Sequence, residues 1–552
     1  MEYRAPAGSA LAADANAPLL AAHARLVAAG RREEARSLLI DALKGRDERD
    51  WLECGRALVL KSDIDGAIAV FSAAQAVHPR SIDVRLALAG VLWQARQGDR
   101  AETLLRSLLA EHPDHAASAF LLAKILKAGG RMCAVDAVVR ALFAHAPQPI
   151  GLTIQAIELL DDCGLKEAAA GISEDAIARG STDARLYAYS GMLHLQLGDF
   201  DRVRARYTYA LANSAQALDW QIANGLAAAQ RYADESHPDF ALFKECLARP
   251  DLGAGARASV LFALGKAYDD IGNPAEAAGY FREGNRVVAG TVDWSRKNFR
   301  RMVAARLDAK PTADRVAPSA DFVPVFIVGM PRSGTTLVAE LLSRHADVRY
   351  RGELMWMPFL AQQLGQVARP SAKMLEDAVA TYRTQVRQDD VPARFYIDKQ
   401  PLNFLHVDVI AALFPHARII HCERNERDTA LSIWMQYFAG PEQNFAYDFA
   451  DIAAVMQGCD KLMALAKKRD VANIHTIRYE RLATDAENCM RELAVWLGLG
   501  DSQPAAEAGA TKTISTSSLW QVRQPVYTRS IGRWRAYLPY VSELASFPAG
   551  DS

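Results

Sequence analysis

The chain has 552 residues, 50% of them apolar, and a formal net charge of −1, so it is too long for one core and lacks the basic excess of a nucleic-acid binder. Its 7 cysteines are scattered with no CxxC, which excludes a zinc ribbon and argues for reduced thiols over a disulfide framework. Neither a leader pattern over residues 1–16 nor an apolar run long enough to span a bilayer is present, so a cytoplasmic, membrane-free location is expected.

Residues 1–17 read as a flexible N-terminus, and residues 18–290 as a repeat array. Turn residues recur at Gly30, Ser62, Gly98, Gly130, Gly164 and Gly198, with a small residue usually five positions later: Ala35, Ala67, Thr103, Ala169. His78-Pro79, His112-Pro113 and Ala146-Pro147 mark the same cycle one helix on. The period, about 34 residues, is that of a tetratricopeptide unit: helix, tight turn, helix, proline-ended loop. Such a pair cannot bury its apolar face alone, so the units stack into an all-α solenoid. Its aromatics, such as Trp51, Tyr187 and Tyr189, read as core, and its concave face as a surface for a peptide or protein partner. The register weakens after Gly198 and returns at Gly272-Asn273-Pro274-Ala275-Glu276-Ala277.

Residues 291–318, basic and polar with Pro311 and Pro318, read as a linker to a domain over residues 319–552. There, strand signals at 323–330, 395–398, 417–422 and 473–479 alternate with helical stretches at 335–345, 403–414, 428–437, 448–468 and 485–497. That alternation predicts an α/β domain with a parallel central sheet and its working loops at the strands' C-terminal ends.

Within that domain, the stretch from Phe326 to Thr336 is an apolar strand entering a loop bounded by Gly329 and Gly334, which opens a helix. Unpaired N–H groups and the positive end of the helix dipole make this a phosphate cradle. The spacing follows the P-loop, but Thr335 stands where the Walker lysine belongs, with Thr336 after it. A second anion site is expected where the strand ending near Cys422 delivers Arg424, with Ser432 on the helix that follows.

These residues resemble the sulfotransferases. Pro331, Arg332, Ser333, Gly334, Thr335 and Thr336 are similar to the loop that holds the 5′-phosphosulfate of PAPS, and Arg424 with Ser432 to the 3′-phosphate site. The pattern is nearest to tyrosylprotein sulfotransferases and to bacterial sulfotransferases carrying N-terminal tetratricopeptide repeats. The resemblance implies an α + α/β architecture, the solenoid followed by a P-loop-like sulfotransferase domain, with PAPS as donor and PAP as product; no metal is expected, since the loop lacks the Walker lysine and no convincing Walker-B acid follows a second strand. In Gly352-Glu353 it implies Glu353 as general base, and in Asp398-Lys399-Gln400-Pro401 it implies Lys399 at the transferring sulfuryl, although Gln400 replaces the usual aspartate. Tyr479, in a Tyr-Glu-x-Leu element, is implied at the PAPS pocket. Ser518, Arg523 and Arg533 are implied in a C-terminal loop over the donor, with Arg533 replacing the usual lysine.

Competing assignments are concrete. Glu353 is also placed to pair with Arg349 or Arg351, and His406 and His421 are alternative bases, as in small-molecule sulfotransferases. Trp434 and Trp534 read as packing. The acceptor is a hydroxyl on a peptide, such as tyrosine, or on a glycan or small molecule. A P-loop kinase or NTPase and an inactive repeat scaffold are the rival functions.

Overall fold

The computed structural model describes residues 16–145, 147–309, 316–317, 322–367, 369–438, 440–470, 473–499 and 528–549. The chain divides into two compact units, Met1–Leu152 and Thr153–Ser552.

The first unit is helical: α1 (Ala17–Ala28), α2 (Arg32–Leu43), α3 (Glu48–Leu60), α4 (Ile64–Val77), α5 (Ile82–Gln94), α6 (Gly98–Glu111), α7 (Ala116–Ala128) and α8 (Met132–His145). The starts of α3, α5 and α7, at 48, 82 and 116, are 34 residues apart, as are those of α4, α6 and α8 at 64, 98 and 132. Asp63 and Ser81 cap α4 and α5 by accepting the amides of Gly66 and Val84, groups that a helix start leaves unpaired.

Ala35, Ala67, Ala101 and Val135 recur as fully buried contacts of the second helices. The turns within successive helix pairs carry left-handed Gly30, Ser62, Arg96 and Gly130, and Gly45 is left-handed between α2 and α3. The expected Gly98 and Thr103 are therefore two positions late: Gly98 begins α6, and Thr103 is exposed, its hydroxyl donating to Asp99 O at 2.8 Å. Arg96 holds a φ of 59°, at the modest cost of a Cβ in the left-handed region, so the turn forms there without a glycine.

The division between the units falls inside α9 (Ile150–Asp162). In the second unit α10 (Lys166–Ala178), α11 (Ala184–Leu197) and α12 (Phe200–Asn213) keep the 34-residue step, α11 starting at 184 against 150 for α9. After a 3₁₀ turn at Ala215–Trp220 come the short helices α13 (Ile222–Ala228) and α14 (Pro238–Leu247). The pair α15 (Ala254–Asp270) and α16 (Pro274–Ala289) then restores the pattern. The expected linker holds a further helix, α17 (Arg296–Asp308).

Five strands follow: β1 (Val323–Gly329), β2 (Val348–Tyr350), β3 (Phe395–Asp398), β4 (Arg418–Glu423) and β5 (Asn473–Arg478). They pair in parallel in the order β2-β3-β1-β4-β5, with Phe326 opposite Asp398 and Gly329 opposite Cys422. Between and after them run α18 (Thr335–Ser343), α19 (Trp356–Gly365), α20 (Ala372–Arg387), α21 (Val407–Leu413), α22 (Glu426–Trp434), α23 (Phe449–Arg469), α24 (Tyr479–Thr484), α25 (Ala486–Leu497) and α26 (Trp534–Tyr537). Central β1 is buried along its whole length, as its continuous apolar run requires of a strand covered on both faces. The order of winding switches sides at β1, and the C-terminal ends of strands at such a switch point are where open α/β sheets bind ligands.

Val325, Ile327, Ile397 and Ile420 pack on one face with Val338, Leu342 and Leu493. On the other, Phe326, Val328, Tyr396 and Ile419 join a core that continues through Ile433 and Cys459 to Phe262, Phe281 and Phe299. That shared core is why the units do not divide near 318: α11 to α17 fold with the sheet. In α17, Phe299 and Val303 lie against Gly458, where an added Cβ would stand 2.9 Å from the Phe299 ring. None of the described helices is long and apolar enough to cross a membrane.

Candidate functional site

The loop after β1 is shaped by close approach. Gly329 has a φ of 144°, and a Cβ there would stand 2.4 Å from the carbonyl oxygen of Cys422 on β4. Gly334, with a φ of 98°, would meet Tyr479 Cδ2 at 2.8 Å. Gly329→Ala combines backbone strain with an overpacked contact, so it should lower unfolding free energy by about 3 kcal/mol in urea denaturation.

Between these glycines the Ser333 amide donates to Met330 O at 3.2 Å, and α18 opens at Thr335. Pro331, Ser333, Thr335 and Thr336 are buried. The Ser333 hydroxyl has no hydrogen-bond partner among the described residues. An orphaned buried donor beside a helix N-terminus fits an incoming anion oxygen.

The second cluster meets the loop directly. Arg332 Nε donates to Ser432 Oγ at 3.2 Å. Arg424, leaving β4, donates from Nη1 to Arg332 O at 2.9 Å and from Nη2 to Ser530 O at 2.7 Å. Its guanidinium stands 4.7 Å from the centroid of the Tyr479 ring, and the Tyr479 and Ser530 hydroxyls are 2.6 Å apart. Arg424 Nε is enclosed without a hydrogen-bond partner among the described residues. Removal from water pulls Arg424 below its ordinary pKa, while Tyr479, Asp428 and Glu480 oppose that shift. Arg332, Ser333, Arg424, Ser432 and Tyr479 are thus brought together as one cationic, donor-rich cluster. Ser530, 106 residues from Arg424, was not legible in the sequence, because a serine in a polar segment carries no periodic or spacing signal.

On the other side of β1, the turn before α19 is zipped onto the end of β3. Arg351 N donates to Ile397 O and Lys399 N to Gly352 O, both at 2.9 Å. This places Glu353 in an ion pair with Lys399, whose side chain is fully buried, while that of Glu353 remains 30% exposed. The rival partners are occupied elsewhere. Arg351 forks onto Asp390 with both contacts at 2.7 Å, and Arg349 donates to the carbonyls of Ala346, Val348 and Val391.

Asp398 lies under this pair, fully buried, accepting the Tyr382 hydroxyl at 2.9 Å. Burial raises its carboxyl to about 7, against the opposing pull of Tyr382, the Leu354 amide and Lys399, and with reinforcement from Glu353. Folding therefore favours the protonated form. The stability this group contributes is present below the unfolded pKa and is lost as the pH rises through about 7. Asp398→Asn, neutral throughout, should melt above the wild type at about pH 8 and lose that advantage towards about pH 4, read by thermal unfolding at both. Next along the chain, Gln400 Oε1 and both amide atoms of buried Asn403 lack hydrogen-bond partners among the described residues. Sequence reasoning did not single out Asn403, since an isolated asparagine in a helical stretch reads as neutral.

The remaining candidates are distributed otherwise. Arg533 forms an ion pair with Asp269 of α15, although it is near enough to Arg424 to depress its pKa. Ser518 and Arg523 lie outside the described residues. His406 Nδ1 is 3.5 Å from Arg306 on α17, and burial with that arginine's charge lowers its pKa to about 3. His421 sits 3.3 Å from Glu423 and 3.8 Å from Cys459 Sγ. Neither histidine is among the residues that meet the Glu353–Lys399 pair. Trp434 packs between Phe281 and Phe449, with ring centroids 6.0 and 5.2 Å away, and buried Trp534 lies 4.5 Å from the Arg427 guanidinium.

Residues 324–503 match the sulfotransferase family, and residues 58–125 match the tetratricopeptide repeat. An uncharacterized protein of Aquifex aeolicus (strain VF5) is 29% identical over 319 residues, which cover 53% of this chain and 42% of that protein. A putative protein-tyrosine sulfotransferase of Caenorhabditis briggsae is 25% identical over 232 residues, 38% of this chain and 80% of the relative. Among solved structures, the sulfotransferase domain of the Synechococcus PCC 7002 olefin synthase aligns at 17% identity and a TM-score of 0.30, covering 44% of this chain and 98% of that domain. The match therefore spans less than half the length of the Aquifex relative. The chain thus carries a sulfotransferase-family domain in its C-terminal part, preceded by tetratricopeptide repeats.

Proposed function

We propose that the protein is a PAPS-dependent sulfotransferase acting on an acceptor hydroxyl, with Glu353 as general base. The observation that carries this reading is the pairing of half-open Glu353 with buried Lys399 at the end of β3, one strand from the glycine-bounded loop. The amides of residues 333–336 with Arg332 would hold the 5′ end of the donor, and Arg424, Ser432 and Tyr479 its 3′-phosphate end. The orphaned Ser333 hydroxyl and Arg424 Nε are donors suited to those anionic groups. When bound, PAPS supplies an activated sulfuryl group on a phosphate leaving group.

The chain's own residues then do three things. Glu353, solvent-accessible on one side, accepts the acceptor's hydroxyl proton. Lys399 keeps a fixed positive charge beside it, where negative charge builds in the transition state. The N-terminus of α18 stabilises charge on the loop side without any metal. Peptide tyrosine is the first acceptor to test, since the Caenorhabditis relative bears the name of a putative protein-tyrosine sulfotransferase. Glycan and small-molecule hydroxyls follow, with the repeats binding the acceptor or a partner protein.

Purified protein given radiolabelled PAPS and acceptor peptides, glycans or lysate fractions should transfer label, and should bind PAP equally well with and without a chelator. Mg²⁺-dependent binding of ATP in place of PAP would overturn the reading in favour of a P-loop kinase. Binding of neither would favour an inactive scaffold.

A further inference from the structure

The helix pair α15–α16 and the segment 528–549 both lie outside the two family-matched stretches, yet named side chains tie them together and to the anion-binding cluster. The segment begins at that cluster. Ser530 O accepts from Arg424 at 2.7 Å, and the amides of Gly532 and Trp534 donate to buried Asp428 at 2.6 and 3.0 Å. Arg533, between those two amides, turns towards α15 and pairs with Asp269. Tyr537 donates its hydroxyl to the same carboxylate at 2.6 Å. Arg282 of α16 repeats the arrangement further on, meeting Glu543 at 2.6 Å.

The helices that supply these anchors are themselves rigidly seated. Phe262 stacks on Tyr437 with centroids 5.3 Å apart, and Asn285 Nδ2 donates at 2.9 Å to the carbonyl of Trp434, two residues beyond Ser432. A fixed anion therefore meets Arg533 one residue from Gly532 and three from Ser530. Without that anion, a half-buried guanidinium, 32% exposed, loses its counter-charge and draws the 530–534 backbone towards water. Arg424 would then lose its Ser530 carbonyl and, with it, one of the two acceptors that orient its fork.

We infer that Asp269 is a positioning residue of the donor site: it fixes Arg533, and through the 530–534 backbone it orients Arg424. The last repeat-like helix pair is thereby a working part of the nucleotide site. This rests on the sulfotransferase reading for the identity of the ligand.

The test uses the full chain with Asp269→Asn, which keeps an acceptor for Tyr537 but removes the charge, and with Asp269→Glu, which restores it. Three quantities are read: PAP affinity by calorimetry, KM for PAPS against kcat, and hydrogen exchange of the Gly532 and Trp534 amides. Asp269→Asn should bind PAP roughly tenfold more weakly and raise KM for PAPS by a similar factor, as expected for one charge-assisted hydrogen bond. In that variant kcat falls far less than KM rises, both amides exchange faster, and Asp269→Glu recovers much of the loss. Wild-type PAP affinity and unchanged exchange in Asp269→Asn, with only a lowered melting temperature, would reduce Asp269 to a structural contact and overturn the inference alone. A wild-type chain that does not bind PAP overturns the donor reading and this role with it, which is a different result from an unaffected variant.

Discussion

Glu353→Gln should lower sulfuryl transfer by about 10²–10⁴-fold, the typical contribution of one general base. Glutamine preserves the shape of the side chain and can still accept a hydrogen bond from Lys399, but it cannot take a proton from the acceptor. The donor cluster of Arg332, Ser333, Arg424 and Ser432 lies on the other side of β1, so PAP affinity should stay within about twofold. One complication has a known sign. Lys399 is fully buried and loses its counter-charge, an event that costs about 3–5 kcal/mol when both partners are buried. Glu353 is 30% exposed, so water screens much of that cost, and a thermal melt of the variant measures what remains. Single-turnover transfer with saturating PAPS, beside PAP calorimetry, checks the result. Parallel loss of binding and transfer, or unaltered turnover, would place the base elsewhere.

Arg424→Ala should weaken PAP binding by about 10²-fold or more, because two charge-assisted hydrogen bonds disappear together. Those bonds join the phosphate loop, through Arg332 O, to the C-terminal segment, through Ser530 O. The stacking of the guanidinium on Tyr479 is lost as well. Arg424→Lys should rescue little: a point-like ammonium lacks the planar fork that reaches two carbonyls while leaving Nε for the ligand. Calorimetry with PAP on both variants, with melting curves as a control for folding, decides the matter. A lysine variant that binds like the wild type would show that charge alone, and not the fork, matters at this position.

The phosphate loop, Arg424 and Ser432 are legible in local pattern, whereas Glu353, Lys399 and Tyr479 enter through the family resemblance, and the reason is physical. A tetratricopeptide period is written into the sequence because each helix pair repeats the same burial problem, so Ala35 and Ala67 lie in equivalent core positions. The phosphate loop is legible because Gly329 presses on the Cys422 carbonyl, where no other residue fits. The pattern fails where several residue types satisfy the backbone. Arg96 takes a turn assigned to Gly98, and β2, three residues long, is too short for its Val348-Arg349-Tyr350 alternation to stand out.

The repeat array, the parallel α/β class and the chemical character of the loop are all written in the order of residues, since each rests on spacing within a few tens of positions. Which side chains become partners depends on the folded arrangement. Lys399 and not Arg349 or Arg351 meets Glu353, 46 residues away, because sheet order lays β3 beside the turn that follows β2. Ser530 meets Arg424, and Asp269 captures Arg533, for the same reason: side-chain direction and strand order, not distance along the chain, set which charges face each other. That α15, α16 and the sheet fold as parts of one unit likewise follows from a shared apolar core, a continuity that no window of sequence displays.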